Sequence, residues 1–238
     1  MGQMFYSLSI AMGILITFGS YMKKETSLED STRNVEVFDT AIAIMAGLMI
    51  IPAVFAFSGG DPDTLQAGPA LMFITIPKVF ENMGFGTVVG ILFFLLVLFA
   101  AVTSSIALTE SAVSTFEDEL GWSRRRATVL VGVIMIALGS LSSLGYGPLV
   151  GIKIIGMQFL DFFDFLTNSV MMPIAAMLTS LFVSRIVGMK RMEDEIMHGE
   201  STFRRKKIFI VMIKYLCPVF ALIILISSVA NAFGWIAM

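Results

Sequence analysis

Six runs of almost uninterrupted apolar residues dominate this chain, at roughly 4–21, 34–58, 87–116, 127–147, 159–187 and 208–235. Each approaches or exceeds the about 20 residues that an α-helix needs to cross the hydrocarbon core of a bilayer. Backbone polar groups meet no water there, so a helix, which satisfies its own hydrogen bonds, is the structure such a run adopts. Composition agrees: 57% of the 238 residues are hydrophobic and 14% charged, against about a quarter charged in a soluble domain. An all-α integral membrane protein with about six transmembrane helices is expected. Only Met1, Gly2 and Gln3 precede the first run, so no cleavable signal peptide is expected. The one cysteine, Cys217, lies in an apolar run and is expected to pack rather than react.

The formal net charge of −2 hides a segregation of sign and marks no nucleic-acid partner. Lys23, Lys24 and Arg33, then Arg124, Arg125 and Arg126, then Arg185, Lys190, Arg191 and the run Arg204 to Lys207 fall in alternate connections. Basic connections stay on the cytoplasmic side, so the first span enters from outside and segment 59–86 is extracytoplasmic. That segment carries Pro62, Pro69 and Pro77 around LMFITIP and KVFENM. It is too apolar for a plain linker and reads as a folded lid of two short helical pieces joined at a proline.

Three places inside the spans hold chemistry that lipid does not reward. Tyr6-Ser7-Leu8-Ser9-Ile10-Ala11-Met12-Gly13 puts two serines and a glycine into the first span, which weakens a helix. Carbonyls freed by unwinding there could bind a cation or an ammonium group; the alternative is a small-residue face for helix packing. In the third span, the run Ala100 to Ser105 sets small polar residues inside an apolar helix, and side-chain hydroxyls with loosely held carbonyls are what a dehydrated cation needs. The same hydroxyls could instead bond back to the preceding turn. Asp39 lies inside the second span, where an ionised carboxylate requires a cation or a donor, or else a place near the helix start. Other signals carry less. GFGTVVG at 84–90 opens a span, follows no strand and suits close helix packing, while His198 has no second soft ligand nearby in its charged loop. Glu110 and Lys214 sit within spans with no evident task. No paired acid and base suggests hydrolysis, and an enzyme is not expected.

Four segments, GQMFYSLSIAMGILITFGSYMKK, FDTAIAIMAGLMIIPAVFAF, FFLLVLFAAVTSSIALTESAVSTFEDEL and FLDFFDFLTNSVMMPIAAML, together resemble the neurotransmitter:sodium symporter family in its bacterial amino-acid-transporter branch. The likeness runs over nearly the whole chain, and the segments look like the sixth to eleventh spans of that family. It implies a fold of two inverted five-helix repeats with substrate and ions at the bilayer midplane, where the first helix of each repeat is broken. Residues 1–187 would be the second repeat with its lid at 59–86, residues 188–207 a cytoplasmic loop, and residues 208–238 one further helix. The amino-terminal repeat would be missing.

The resemblance also implies roles. Carbonyls of Tyr6, Ser7 and Ser9 would receive a substrate amine, the Tyr6 ring would close the pocket, and Met12, Ser105 and Leu108 would line it. The family usually has glycine where Ala11 stands, so its methyl limits the expected unwinding. Ser7 and Asp39 would belong to a first sodium site, and Ala100, Thr103 and Ser104 to a second. Gln3 matches a residue around the anion position of chloride-dependent relatives, and the Asp39 carboxylate would replace that anion. Asp164 matches the outer gate and Asp118 the inner gate, their arginine partners lying in the missing part. The implied function is sodium-coupled amino-acid symport by alternating access in the cell inner membrane, with sodium co-transported and no organic cofactor. Alternatives are a truncated product without transport, or a membrane scaffold or assembly subunit.

Overall fold

The computed structural model describes residues 2–57, 69–199, 202–233 and 235. Among them, five helices are long and apolar enough to cross a membrane: Leu28–Ala56, Gly86–Leu120, Arg124–Leu144, Phe159–Val187 and Lys206–Ala232. The first apolar run is instead split into α1 (Gly2–Ser7) and α2 (Ile14–Ser20). Helix α3 (Leu28–Phe57) starts ahead of its apolar run because Ser27 caps it, the Oγ accepting the Asp30 N–H at 3.0 Å. Glu29 and Asp30 then place negative charge at the positive end of the helix.

Short α4 (Ile76–Glu81) leads through a turn into α5 (Gly86–Leu120), followed by α6 (Arg124–Leu144). The fifth apolar run comprises α7 (Phe159–Asp164) and α8 (Met172–Phe182), and α9 (Met189–Ile196) follows it. The last run comprises α10 (Lys206–Val211) and α11 (Cys217–Ala232). Wide π-turns at Leu71–Thr75, Phe165–Met171 and Met212–Leu216 each end two residues before a proline: Pro77, Pro173 and Pro218. A proline lacks the N–H and crowds the carbonyl four residues back, and the widened turn absorbs that conflict without breaking the helix. Ser180 donates its hydroxyl to the carbonyl of Ile213 inside one such turn, which ties α8 to the last span.

The chain divides into two units, Met1–Arg33 with Ala107–Met238, and Asn34–Ile106, the boundaries falling inside α3 and α5. In the first unit, Val113, Ala127 and Val131 form a buried cluster flanked by Ala112 and Phe116, which joins α5 to α6. In the second unit, residues 69–85 pack on the start of α5. Phe73 stacks on Phe94 at 6.0 Å between centroids, and Phe80 meets Phe93 edge-on at 5.4 Å. Gly86 is required at that turn, since a Cβ there would lie 1.6 Å from the Phe80 carbonyl oxygen. The expected break at a proline is not at Pro77, which the helix runs through; residues 58–68 lie outside the described residues. Along α5, Leu92, Leu96 and Phe99 form an exposed apolar stripe at helical spacing, 62%, 68% and 64% exposed, as suits a helix solvated by lipid.

Candidate substrate and ion sites

Between α1 and α2 the helix of the first span is interrupted over Leu8 to Gly13. The Ile10 N–H reaches the Phe5 carbonyl at 2.8 Å, one residue further back than in an α-helix, and the regular ladder resumes only with Thr17 N–H to Gly13 O at 3.0 Å. Ser9 and Ala11 both take left-handed backbone conformations, with φ of 54° and 62°, and Gly13 follows at 80°. The methyl of Ala11 therefore does not keep this stretch helical. A non-glycine residue in that region costs roughly 1–2 kcal/mol, so Ser9 and Ala11, on either side of Ile10, mark a strained segment held by its surroundings.

The surroundings include α5. A Cβ on Gly13 would lie 2.8 Å from Ser111 Oγ, and Ser111 donates a long hydrogen bond of 3.4 Å to the Met12 carbonyl. One turn on, the Thr17 and Ser114 hydroxyls are 3.2 Å apart, with Thr17 and Ser111 both buried. This seam of hydroxyls fixes the carboxy-terminal half of the broken span against α5.

Of the expected substrate residues, Tyr6 and Ser7 are exposed, Ser9 and Met12 half-buried, and Ser105 and Leu108 lie a turn apart on α5. A cavity of about 530 Å³ runs along the broken stretch, lined by Phe5, Leu8 and Ser9 on that side and by Thr179, Cys217 and Phe220 from α8 and α11. Ser9 alone of the expected substrate residues lines it.

On α5, Thr103 donates its hydroxyl to the Ala100 carbonyl at 3.0 Å, and Ser105 bonds back to Ala101 at 2.7 Å. The two oxygens expected to share a cation are thus near enough to touch one ion, with the Thr103 proton turned into the helix. Ser104 is exposed beside them. Asp39 is half-buried within α3, in the second unit, whereas Ser7 belongs to the first. Gln3 lies in α1, and its side chain is outside the described residues. Asp118 is exposed near the end of α5. Asp164 has a partner within the chain, since the Asn168 amide one turn on donates to its carboxylate.

Glu110, without an evident task in the sequence, is the centre of a polar cluster in the structure. The Tyr21 hydroxyl, at the end of the first span, donates to one Glu110 oxygen at 2.8 Å, and Arg124, opening α6, donates to the other. Arg124 also reaches Glu117 at 3.2 Å. The signal for this was the seven-residue spacing of Glu110 and Glu117, which puts both carboxylates on one face of α5, followed closely by Arg124. The position of Tyr21 beside them depends on how the first span packs, which no local pattern encodes.

Five helices long and apolar enough to cross a bilayer, with a broken helix ahead of them and hydroxyls within apolar segments, define a multi-pass membrane protein. The model of the sodium:neurotransmitter symporter family matches residues 1–234, and the chain belongs to that family. An uncharacterised sodium-dependent transporter of Haemophilus influenzae is 32% identical over 229 residues, covering 96% of this chain and 49% of that protein. The uncharacterised sodium-dependent transporter YhdH of Bacillus subtilis is 32% identical over 201 residues, covering 84% of this chain and 44% of its own length. The crystal structure of MhsT in complex with L-phenylalanine matches with a TM-score of 0.85 and 37% identity, over 95% of this chain and 50% of that one. The chain spans about half the length of the relatives it matches.

Proposed function

We propose that this chain forms the carboxy-terminal half of a sodium-coupled amino-acid symporter of the cell inner membrane, completed by an amino-terminal five-helix repeat. The observation that carries the reading is the break in the first span, where Ser9 and Ala11 are held left-handed between two short helices. Backbone carbonyls released in mid-membrane have few physical uses other than binding a cation or an ammonium group. In this reading Tyr6, Ser7, Ser9, Met12, Ser105 and Leu108 meet the substrate. Ser7 and Asp39 serve the first sodium ion, and Ala100, Thr103 and Ser104 the second. Family membership supports the sodium coupling, and the phenylalanine bound to MhsT supports an amino-acid substrate for this chain too.

Alternating access requires the first span to move against α5 and α6. The cluster of Tyr21, Glu110 and Arg124 joins those three elements at one end, which the basic connections assign to the cytoplasm, and would hold that side closed. Asp118 would act beside it, and Asp164 at the opposite end. The test is binding of labelled phenylalanine and other apolar amino acids to the completed protein in sodium and in potassium buffer. Saturable binding in sodium alone supports the reading, and equal binding in both buffers contradicts it.

A further inference from the structure

In the fifth apolar run α7 passes into the π-turn Phe165–Met171, and polar side chains gather at that junction. Thr167 turns its hydroxyl back to the carbonyl of Phe163 at 2.8 Å, with a longer contact of 3.4 Å to that of Asp164. Asn168 stands one turn beyond Asp164 on the same face, and its side-chain amide donates to the Asp164 carboxylate. The carboxylate orients the amide, since the amide oxygen in the same place would face a negative charge. That oxygen is instead buried and meets no donor among the described residues. A buried acceptor left unmatched is destabilising, and a leucine of similar volume would avoid the cost. What an asparagine supplies here and a leucine does not is the donor to Asp164. The same π-turn packs against α1, the short helix that carries Tyr6 and Ser7.

We propose that Asn168 is a positioning residue for Asp164: it holds the carboxylate in one orientation on the π-turn, where a cationic partner from the completing half meets it. The proposal rests on the reading of Asp164 as a gate in the completed symporter. Asp164 is exposed, so packing does not fix its side chain. Asp161 lies one turn before it on α7, so a like charge precedes the carboxylate and a donor follows it. A hydrogen bond to an ionised group is among the stronger ones, and it selects one orientation from those an exposed carboxylate otherwise samples. Asn168 acts on the gate through Asp164 and touches neither substrate nor ion.

Labelled phenylalanine is bound to the completed protein in sodium buffer, and its release is followed after dilution into the same buffer. Asn168→Leu should release it roughly tenfold faster than wild type, the scale of a lost hydrogen bond to a charged group. In the Asp164→Asn background the same change should add no more than about twofold, since its effect runs through the carboxylate. Thr167→Val alters the same π-turn but keeps the amide, and should stay within about twofold of wild type. A wild-type rate in Asn168→Leu, accelerations that multiply in the double variant, or an equal acceleration in Thr167→Val would each overturn the proposal. If Asn168→Leu shows no thermal transition, Asn168→Ala decides: faster release supports the proposal and a wild-type rate overturns it. Wild-type release from Asp164→Asn would remove the gate, and this proposal with it, while leaving sodium-dependent binding intact. Absence of sodium-dependent binding in the wild type would overturn the transport reading itself, and the proposal with it.

Discussion

In the proposed second sodium site, Thr103 and Ala100 would serve both a helix and an ion. The Thr103 hydroxyl donates to the Ala100 carbonyl 3.0 Å away, as hydroxyls in apolar helices commonly do. A sodium ion would take both oxygens and turn the proton outward. Thr103→Ala with Ser104→Ala in the completed protein should therefore weaken apparent sodium affinity by roughly tenfold or more, the scale of a lost contact to a charged group. A sodium titration of uptake reads this directly, and an unchanged curve would return both hydroxyls to helix packing. Asp39 belongs at the same scale. If its carboxylate supplies the negative charge at the first sodium site, uptake should persist when gluconate replaces chloride. Asp39→Asn should then impair it, because positive charge is left uncompensated in a region of low dielectric. A wild type that requires chloride would exclude that role. The sequence offers these residues as candidates because hydroxyls and a carboxylate stand out within apolar runs. The Asn168 partner of Asp164 was readable in principle, being one turn away.

Among the elements, the first span departs most from regular geometry. Its sequence announced weakness through Ser7, Ser9 and Gly13, but how far it unwinds depends on α5, whose Ser111 and Ser114 meet Met12 and Thr17. Gly13→Ala should cost about 1–3 kcal/mol, from the positive φ and from the methyl 2.8 Å from Ser111 Oγ. Adding Ser111→Ala removes the clash but not the φ strain, so the double variant should melt between wild type and Gly13→Ala. Thermal unfolding in detergent measures it, and strictly additive losses would show that the two residues do not press on each other. Element boundaries were less legible than element existence. Apolarity places the spans, yet α3 begins at a serine cap in polar sequence, and π-turns ahead of Pro77, Pro173 and Pro218 carry the helices through those prolines.

For the whole molecule, membrane crossing and family are readable because lipid imposes length and apolarity on every span, and because four segments keep their order and spacing. The place of Tyr21 beside Glu110 and Arg124 was not readable, since only tertiary packing brings it there. The central claim is that this chain holds half of a shared site. The most direct measurement is uptake of labelled amino acids into liposomes under an inward sodium gradient, with the chain alone and with the chain joined to a complementary five-helix half. The account predicts no saturable uptake by the chain alone and steeply sodium-dependent uptake by the joined protein. Saturable, sodium-driven uptake by the chain alone would contradict it, as would uptake by the joined protein that is indifferent to sodium.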